Sequence, residues 1–278
     1  MAVHKNSIPI RRICIIGMGL IGGSLAKALK KSATCSEIIG CDSSQKRLDT
    51  ALQLKAIDSG STEVSIAVKD ADVIILAAPI GAMTSVFESI VGHISPTTII
   101  TDVGSTKRSV VKAAQNIFDK LPNGFVPAHP LVGGEKSGVE NSSAELFTGC
   151  NVVITPLDTS SKEAVEMVRQ IWHSTGANVF ELDVDRHDEI LGATSHLPHV
   201  LAYLLVDILA SSNKKDDIFR YAAGGFIDFT RIASSDPGLW CDISLANSDV
   251  LSSMLESYGE ALSQLSRAIS QGDKHEIK

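Results

Sequence analysis

The sequence predicts an α/β fold, an N-terminal doubly wound sheet followed by an all-helical C-terminal part. Three observations carry this. Up to about residue 182, short apolar, β-branched runs alternate with stretches of helical period, the pattern of a parallel sheet with helices on both faces. Beyond that point the strand pattern stops and only helical patterns remain. A glycine-rich turn joins the first strand to the first helix.

The elements follow in order. RRICIIGMG is a strand running into the turn, and LIGGSLAKALKKS a helix whose closing lysines suit its C-terminus. EIIGCD is a second strand and SSQKRLDTALQL a second helix. DVIILAAP and TTIITDVGS are strands separated by the helix MTSVFESIVGHI. STKRSVVKAAQNIFDKL, FVPAHP, NVVITP, SKEAVEMVRQIWHSTG and ANVFEL complete the parallel alternation. DVDRHDEILGATSHLPHVLAYLLVDILASS then reads as one long apolar helix containing Pro198. Helical pattern continues through LSQLSRAIS, with breaks at Gly224-Gly225 and Asp236-Pro237-Gly238. The expected domains are 1–182 and 183–278. HVLAYLLVDILA is too apolar for an ordinary surface helix, so it centres a helical domain or packs against a second chain.

Composition sets bounds. With 278 residues, 44% hydrophobic and 21% charged, the whole chain can form packed cores. A formal net charge of -7 argues against nucleic-acid binding, which wants a basic face. An anionic substrate would need locally placed cations. The five cysteines (Cys14, Cys35, Cys41, Cys150, Cys241) are odd in number and form no CxxC pair, as in a reducing cytoplasm. The first apolar run is broken by four glycines and is too short to span a bilayer. A cytoplasmic protein with no membrane partner is expected.

Gly17-Met18-Gly19-Leu20-Ile21-Gly22 fits GxGxxG, directly after a strand and opening a helix. The first glycine allows the tight turn, the second lets a pyrophosphate approach the backbone, and the third lets helix and strand pack closely. The helix start then offers N–H groups and a positive dipole end. Asp42 ends the second strand 25 residues after Gly17, near the roughly 20 expected of the acid that accepts ribose hydroxyls. An acid there repels a 2′-phosphate, which favours NAD over NADP. Lys46 and Arg47 are either solvated or tolerant of that phosphate. Ligands in such sheets bind beyond the carboxyl ends of the strands. Ala77-Ala78-Pro79, Asp102-Val103-Gly104-Ser105 and the loop AHPLVGGEKSGVENSSAELF should converge there. Ser105 and His129 would both face the nicotinamide.

The successive stretches GMGLIGGSLAKAL, DVGSTK, HPLVGGEKSGVE, TSHLPHVLA and GGFIDFTRIASSDPGLW resemble, in order, the motifs of the prephenate and arogenate dehydrogenase family. HP-x-x-G-x-EKSG and SHLPH are specific to it, whereas GxGxxG is not. The resemblance implies a Rossmann domain, a helical C-terminal dimerisation domain and hence a homodimer. It also implies NAD-dependent oxidative decarboxylation of prephenate in tyrosine biosynthesis, with arogenate or both compounds as the alternative substrate. No fused chorismate mutase or regulatory domain is expected. A 3-hydroxyacid dehydrogenase would want a lysine or aspartate base where this chain has SHLPH.

By the same resemblance, His129 is the base that takes the C4-hydroxyl proton, and Ser105 a second partner to that hydroxyl. Arg231 grips a substrate carboxylate with paired hydrogen bonds. His199 lies near the substrate with His196 supporting it, or the two exchange these roles. Gly224 and Trp240 match positions that reach the substrate pocket, although Trp240 is equally suited to a core. Glu135 pairs with a substrate amine or a nearby cation, or is solvated. Lys107 either answers anionic charge or caps the helix it begins. His196 and His199 stand at i, i+3 with no acid or cysteine clustered about them, so no metal is expected.

Overall fold

The computed structural model describes residues 10–133 and 136–278. The chain divides into two compact units, Met1–His187 and Asp188–Lys278, with the division inside the helix Val184–Leu191. The first unit carries five parallel strands: β1 (Ile10–Ile16), β2 (Cys35–Cys41), β3 (Ser59–Ser61), β4 (Val73–Leu76) and β5 (Ile99–Asp102). Their order is β3-β2-β1-β4-β5. The winding therefore reverses beside β1, which places a crevice at the carboxyl ends of β1 and β4.

The strand pattern explains the two cores. Along β1, Ile13 and Ile15 enter one core with Leu25 and Leu29, while Cys14 and Ile16 enter the other with Leu76 and Phe87. A strand covered on both faces reads as a continuous apolar run. Cys14 and Cys41 are small core residues here, and burial pushes the Cys41 thiol up to about 11, with the Asp42 charge adding to it.

A second sheet, β6 (Ala128–Pro130), β7 (Asn151–Ile154) and β8 (Asn178–Glu181), departs from the expected parallel arrangement. β6 pairs antiparallel with β7, and only β7–β8 is parallel. Parallel neighbours need a long crossover, usually a helix. Among the described residues, β6 and β7 are joined only by loop and the short 3-10 turn Val139–Asn141. The chain leading into β6 still follows β5, since Val126 N–H donates to the Ile100 carbonyl at 2.9 Å. β3 was not expected either. Its sequence, SGS, has no apolar residue to mark it, and its pairing with β2 alone makes it a strand.

The second unit is helical: Leu197–Ala210, Lys215–Arg220, Gly224–Thr230, Pro237–Ala246 and Ser248–Gln271. The expected long helix around Pro198 runs from Val184 to Ala210 and carries a local widening. Gly192–His196 forms a π turn just before Pro198, a widening that accommodates a proline unable to donate to the preceding turn. At the Asp236-Pro237-Gly238 break, the Asp236 carboxylate caps the next helix by accepting from Gly238 N and Leu239 N. The run Val184–Ala210 is long and apolar enough to cross a membrane by length and composition. On it, Leu204 and Ile208 are 50% and 58% exposed.

Candidate active site

The carboxyl ends of the central strands are held in register. Gly17 N–H donates to the Cys41 carbonyl at 2.7 Å, Ala77 N–H to Ile16 at 2.7 Å and Val103 N–H to Leu76 at 3.1 Å. The turns after β1, β2, β4 and β5 therefore lie side by side. That rim gathers Gly17, Gly19, Leu20, Ile21, Gly22, Asp42, Ala78, Pro79 and Ser105, the whole predicted cofactor set.

The three glycines of the turn differ in their surroundings. Gly17 has φ +103° and the Ala77 carbonyl oxygen would stand 2.4 Å from any Cβ there. A Cβ on Gly22 would meet the Gly17 carbonyl oxygen at 1.9 Å. Gly19 differs: nothing lies within 4 Å of where its Cβ would stand. It is also the N-cap of helix Leu20–Lys31, which has no side-chain cap and no acid in its first turn. Open space beside an uncapped helix start fits a pyrophosphate.

Asp42 is held from several sides. Its carboxylate accepts from Met18 N and Ser44 N, each at 2.8 Å, and from the Arg47 guanidinium at 2.9 Å. The Asp42 side chain is 4% exposed, whereas that of Arg47 is 54% exposed. Arg47 is thus paired with Asp42 rather than merely solvated.

His129, the middle residue of β6, is buried. Its Nδ1 lies 2.9 Å from Nε2 of His187, itself fully buried, and the rings meet edge to face. Ser105 is half-buried in the turn after β5. Lys107 answers the anionic charge of a protein group, Asp102. It is fully buried, bonded to Asp102 and donating to the Ala128 carbonyl at 2.6 Å.

In the second unit, the His199 ring stacks on Trp240 with centroids 3.5 Å apart and planes 15° off parallel. Burial lowers the His199 pKa below 6.5, partly offset by its bond to the Ser195 carbonyl. A neutral ring hydrogen-bonds an anion but does not neutralise it. His196 packs edge-on to the same indole at 6.2 Å and its Nδ1 lies 3.1 Å from Asn247 Nδ2. Asn247 also donates to the Asp188 carbonyl at 2.9 Å. His196 is 1% exposed. Arg231 opens the exposed turn Arg231–Ser234, and Tyr203 on the histidine-bearing helix donates to the Ser235 carbonyl at 2.6 Å. Gly224 is exposed, with nothing within 4 Å of a Cβ. Glu135 lies outside the described residues.

Residues 25–181 match the model of the prephenate dehydrogenase nucleotide-binding domain, and residues 183–278 that of the prephenate dehydrogenase dimerization domain. The chain belongs to the prephenate dehydrogenase family. It is 37% identical to the cyclohexadienyl dehydrogenase of Zymomonas mobilis over 95% of this chain and 90% of that protein. It is 36% identical to the prephenate dehydrogenase of Bacillus subtilis, covering 95% of this chain and 72% of that one. The crystal structure of Aquifex aeolicus prephenate dehydrogenase in complex with hydroxyphenyl propionate and NAD+ is similar at TM-score 0.89 and 34% identity. That match covers 98% of this chain and 95% of that one.

Family motifs explain why the sequence exposed most of this rim, and also what it hid. His187 stands 58 positions from His129 in a stretch of plain helical pattern, and no local signal links the two. Asn247, 51 positions from His196, is equally silent. Asp102 and Lys107 are visible in DVGSTK, but their burial depends on β6 arriving beside β5.

Proposed function

We propose that this dehydrogenase carries out NAD-dependent oxidative decarboxylation of prephenate to 4-hydroxyphenylpyruvate, a step of tyrosine biosynthesis. The observation that carries the reading is His129, a buried imidazole on β6 held at Nδ1 by His187. Gly17, Gly19, Leu20, Ile21, Gly22, Asp42, Ala78 and Pro79 hold the cofactor. NAD, when bound, supplies the acceptor for the hydride that leaves C4. His129 takes the proton of the C4 hydroxyl at Nε2. For that, its Nδ1–H must donate to a His187 ring whose Nε2 accepts, so His187 selects the tautomer of the base. Ser105 hydrogen-bonds the same hydroxyl. Arg231 grips a carboxylate, a needed cation in a chain of net charge -7. His199 serves the substrate, stacked on Trp240, with His196 supporting it; Gly224 reaches the substrate, and Glu135 has the role of pairing with a substrate amine or a nearby cation.

The cyclohexadienyl dehydrogenase relative favours a second reading, in which arogenate is also accepted. The two substrates differ by an amino group in place of a keto group. The protein acts as a cytoplasmic homodimer. The dimerization-domain match and the large exposed apolar side chains of Leu204, Ile208, Ile227 and Leu245 support this. The test is NADH formation by the purified protein with prephenate and with arogenate in parallel. Prephenate turnover is expected. Turnover of arogenate alone would move the reaction to the second substrate, and turnover of neither with NAD or NADP would overturn the proposal.

A further inference from the structure

One buried ion pair lies behind the chemistry and takes no part in it. Asp102 is the last residue of β5, and Lys107 the first of helix Lys107–Ile117. Both side chains are 0% exposed. One carboxylate oxygen of Asp102 accepts from Gly104 N at 2.7 Å and from the Lys107 ammonium. The other accepts from Ala128 N at 3.1 Å. Lys107 also donates to the Ala128 carbonyl at 2.6 Å. That carbonyl belongs to the peptide bond joining Ala128 to His129, so the ammonium grips the plane from which the histidine projects. On the other side, Ser105 sits in the two-residue link, Ser105-Thr106, between Gly104 and Lys107, both of which Asp102 holds.

Stability does not explain the pair. Dehydrating both charges is costly, and an apolar pair of the same volume often folds as well or better. An ammonium in the first turn of a helix also opposes the helix dipole. What the pair does achieve is geometric. Charge-assisted bonds from one carboxylate and one ammonium fix two separate backbone segments against each other.

We propose that Asp102 and Lys107 are positioning residues of the dehydrogenase reaction, a buried tie that sets where Ser105 stands relative to His129. This rests on the roles proposed above for those two residues. A displacement of about 1 Å at reacting groups can cost on the order of 100-fold in rate. Binding contacts made by other residues would be untouched.

The test compares wild type with the apolar double replacement Asp102→Leu/Lys107→Met, and with Asp102→Asn, which keeps volume and one acceptor. Thermal melting, kcat and KM for the turned-over substrate, and the His129 imidazole NMR signals (assigned with His129→Asn) are read for each. The proposal expects the double replacement to melt near wild type, with kcat down about 100-fold and KM within about threefold. The His129 signals should shift. A double replacement with wild-type melting, kcat and imidazole signals would overturn the tie. If the double replacement does not fold, Asp102→Asn decides: lower kcat with KM held supports the tie, and wild-type kcat overturns it. Should wild type turn over neither substrate, the functional reading fails by itself. The imidazole signals then decide, shifted signals supporting the tie and unchanged ones overturning it.

Discussion

Two buried aspartates at the ends of strands in the same sheet are built almost alike. Asp42 follows β2 and Asp102 closes β5. Each accepts from the backbone N–H two residues on, Ser44 at 2.8 Å and Gly104 at 2.7 Å. Each accepts a second N–H from another segment, Met18 at 2.8 Å and Ala128 at 3.1 Å. Each pairs with a cation five residues on, Arg47 and Lys107. They differ in closure: the Arg47 side chain is 54% exposed and that of Lys107 is 0% exposed. The same local scaffold therefore makes an open station, where a ligand can compete for the acid, and a closed one, where only protein can. The open station should govern cofactor choice, and the closed one the geometry of the chemistry.

The largest effect is expected next to the closed station. His129→Asn should lower kcat by about 10²–10⁴-fold, the usual worth of a general base, with substrate KM little changed. Steady-state kinetics check this, and wild-type kcat would remove His129 from proton transfer. The next contrast is in stability. Lys107→Ala leaves a buried carboxylate uncompensated and should cost about 3–5 kcal/mol. Arg47→Ala removes a solvent-screened partner and should cost under about 1 kcal/mol. Urea unfolding of the two variants measures this, and equal losses would break the comparison.

A smaller effect sharpens the open station. Arg47→Ala frees the Asp42 charge to repel a 2′-phosphate, so the ratio of kcat/KM for NAD over NADP should rise about tenfold, some 1.4 kcal/mol. An unchanged ratio would mean that Arg47 is neutral toward the phosphate, and a falling one that it contributes more to NAD than to NADP.

The sequence revealed these two stations unequally. The GxGxxG turn and Asp42 were legible because each residue has a local backbone reason: φ +103° at Gly17, helix contact at Gly22, a strand end at Asp42. The tie at Asp102 was half-legible. Acid and lysine stand in one short motif, but Ala128 lies 26 positions on and arrives only with β6. Apolar periodicity marked β6 as a strand without its direction, so the antiparallel pairing with β7 was missed. The π turn was missed for a related reason, since Pro198 signals a disturbance but not its form. His187 was illegible, because its meaning comes wholly from contact with His129.

The smallest expected effect lies in the second unit. Burial holds the His199 pKa below its ordinary 6.5. The unfolded chain then binds the proton more readily, so this contribution to stability is present above pH 6.5 and is lost as pH falls from 6.5 toward the lowered value. His199→Gln should flatten the stability-against-pH curve in that window, and an unchanged slope would remove His199 as its source.

The central claim is the division of labour between the two aspartates. Its most direct measurement is the steady-state kinetics of Asp42→Asn and Asp102→Asn in one assay, with substrate and both nicotinamide cofactors varied. The account predicts that Asp42→Asn raises KM for NAD and narrows its preference over NADP while kcat holds. Asp102→Asn should lower kcat while both KM values hold. The same pattern in both variants, or the two patterns exchanged, would contradict it.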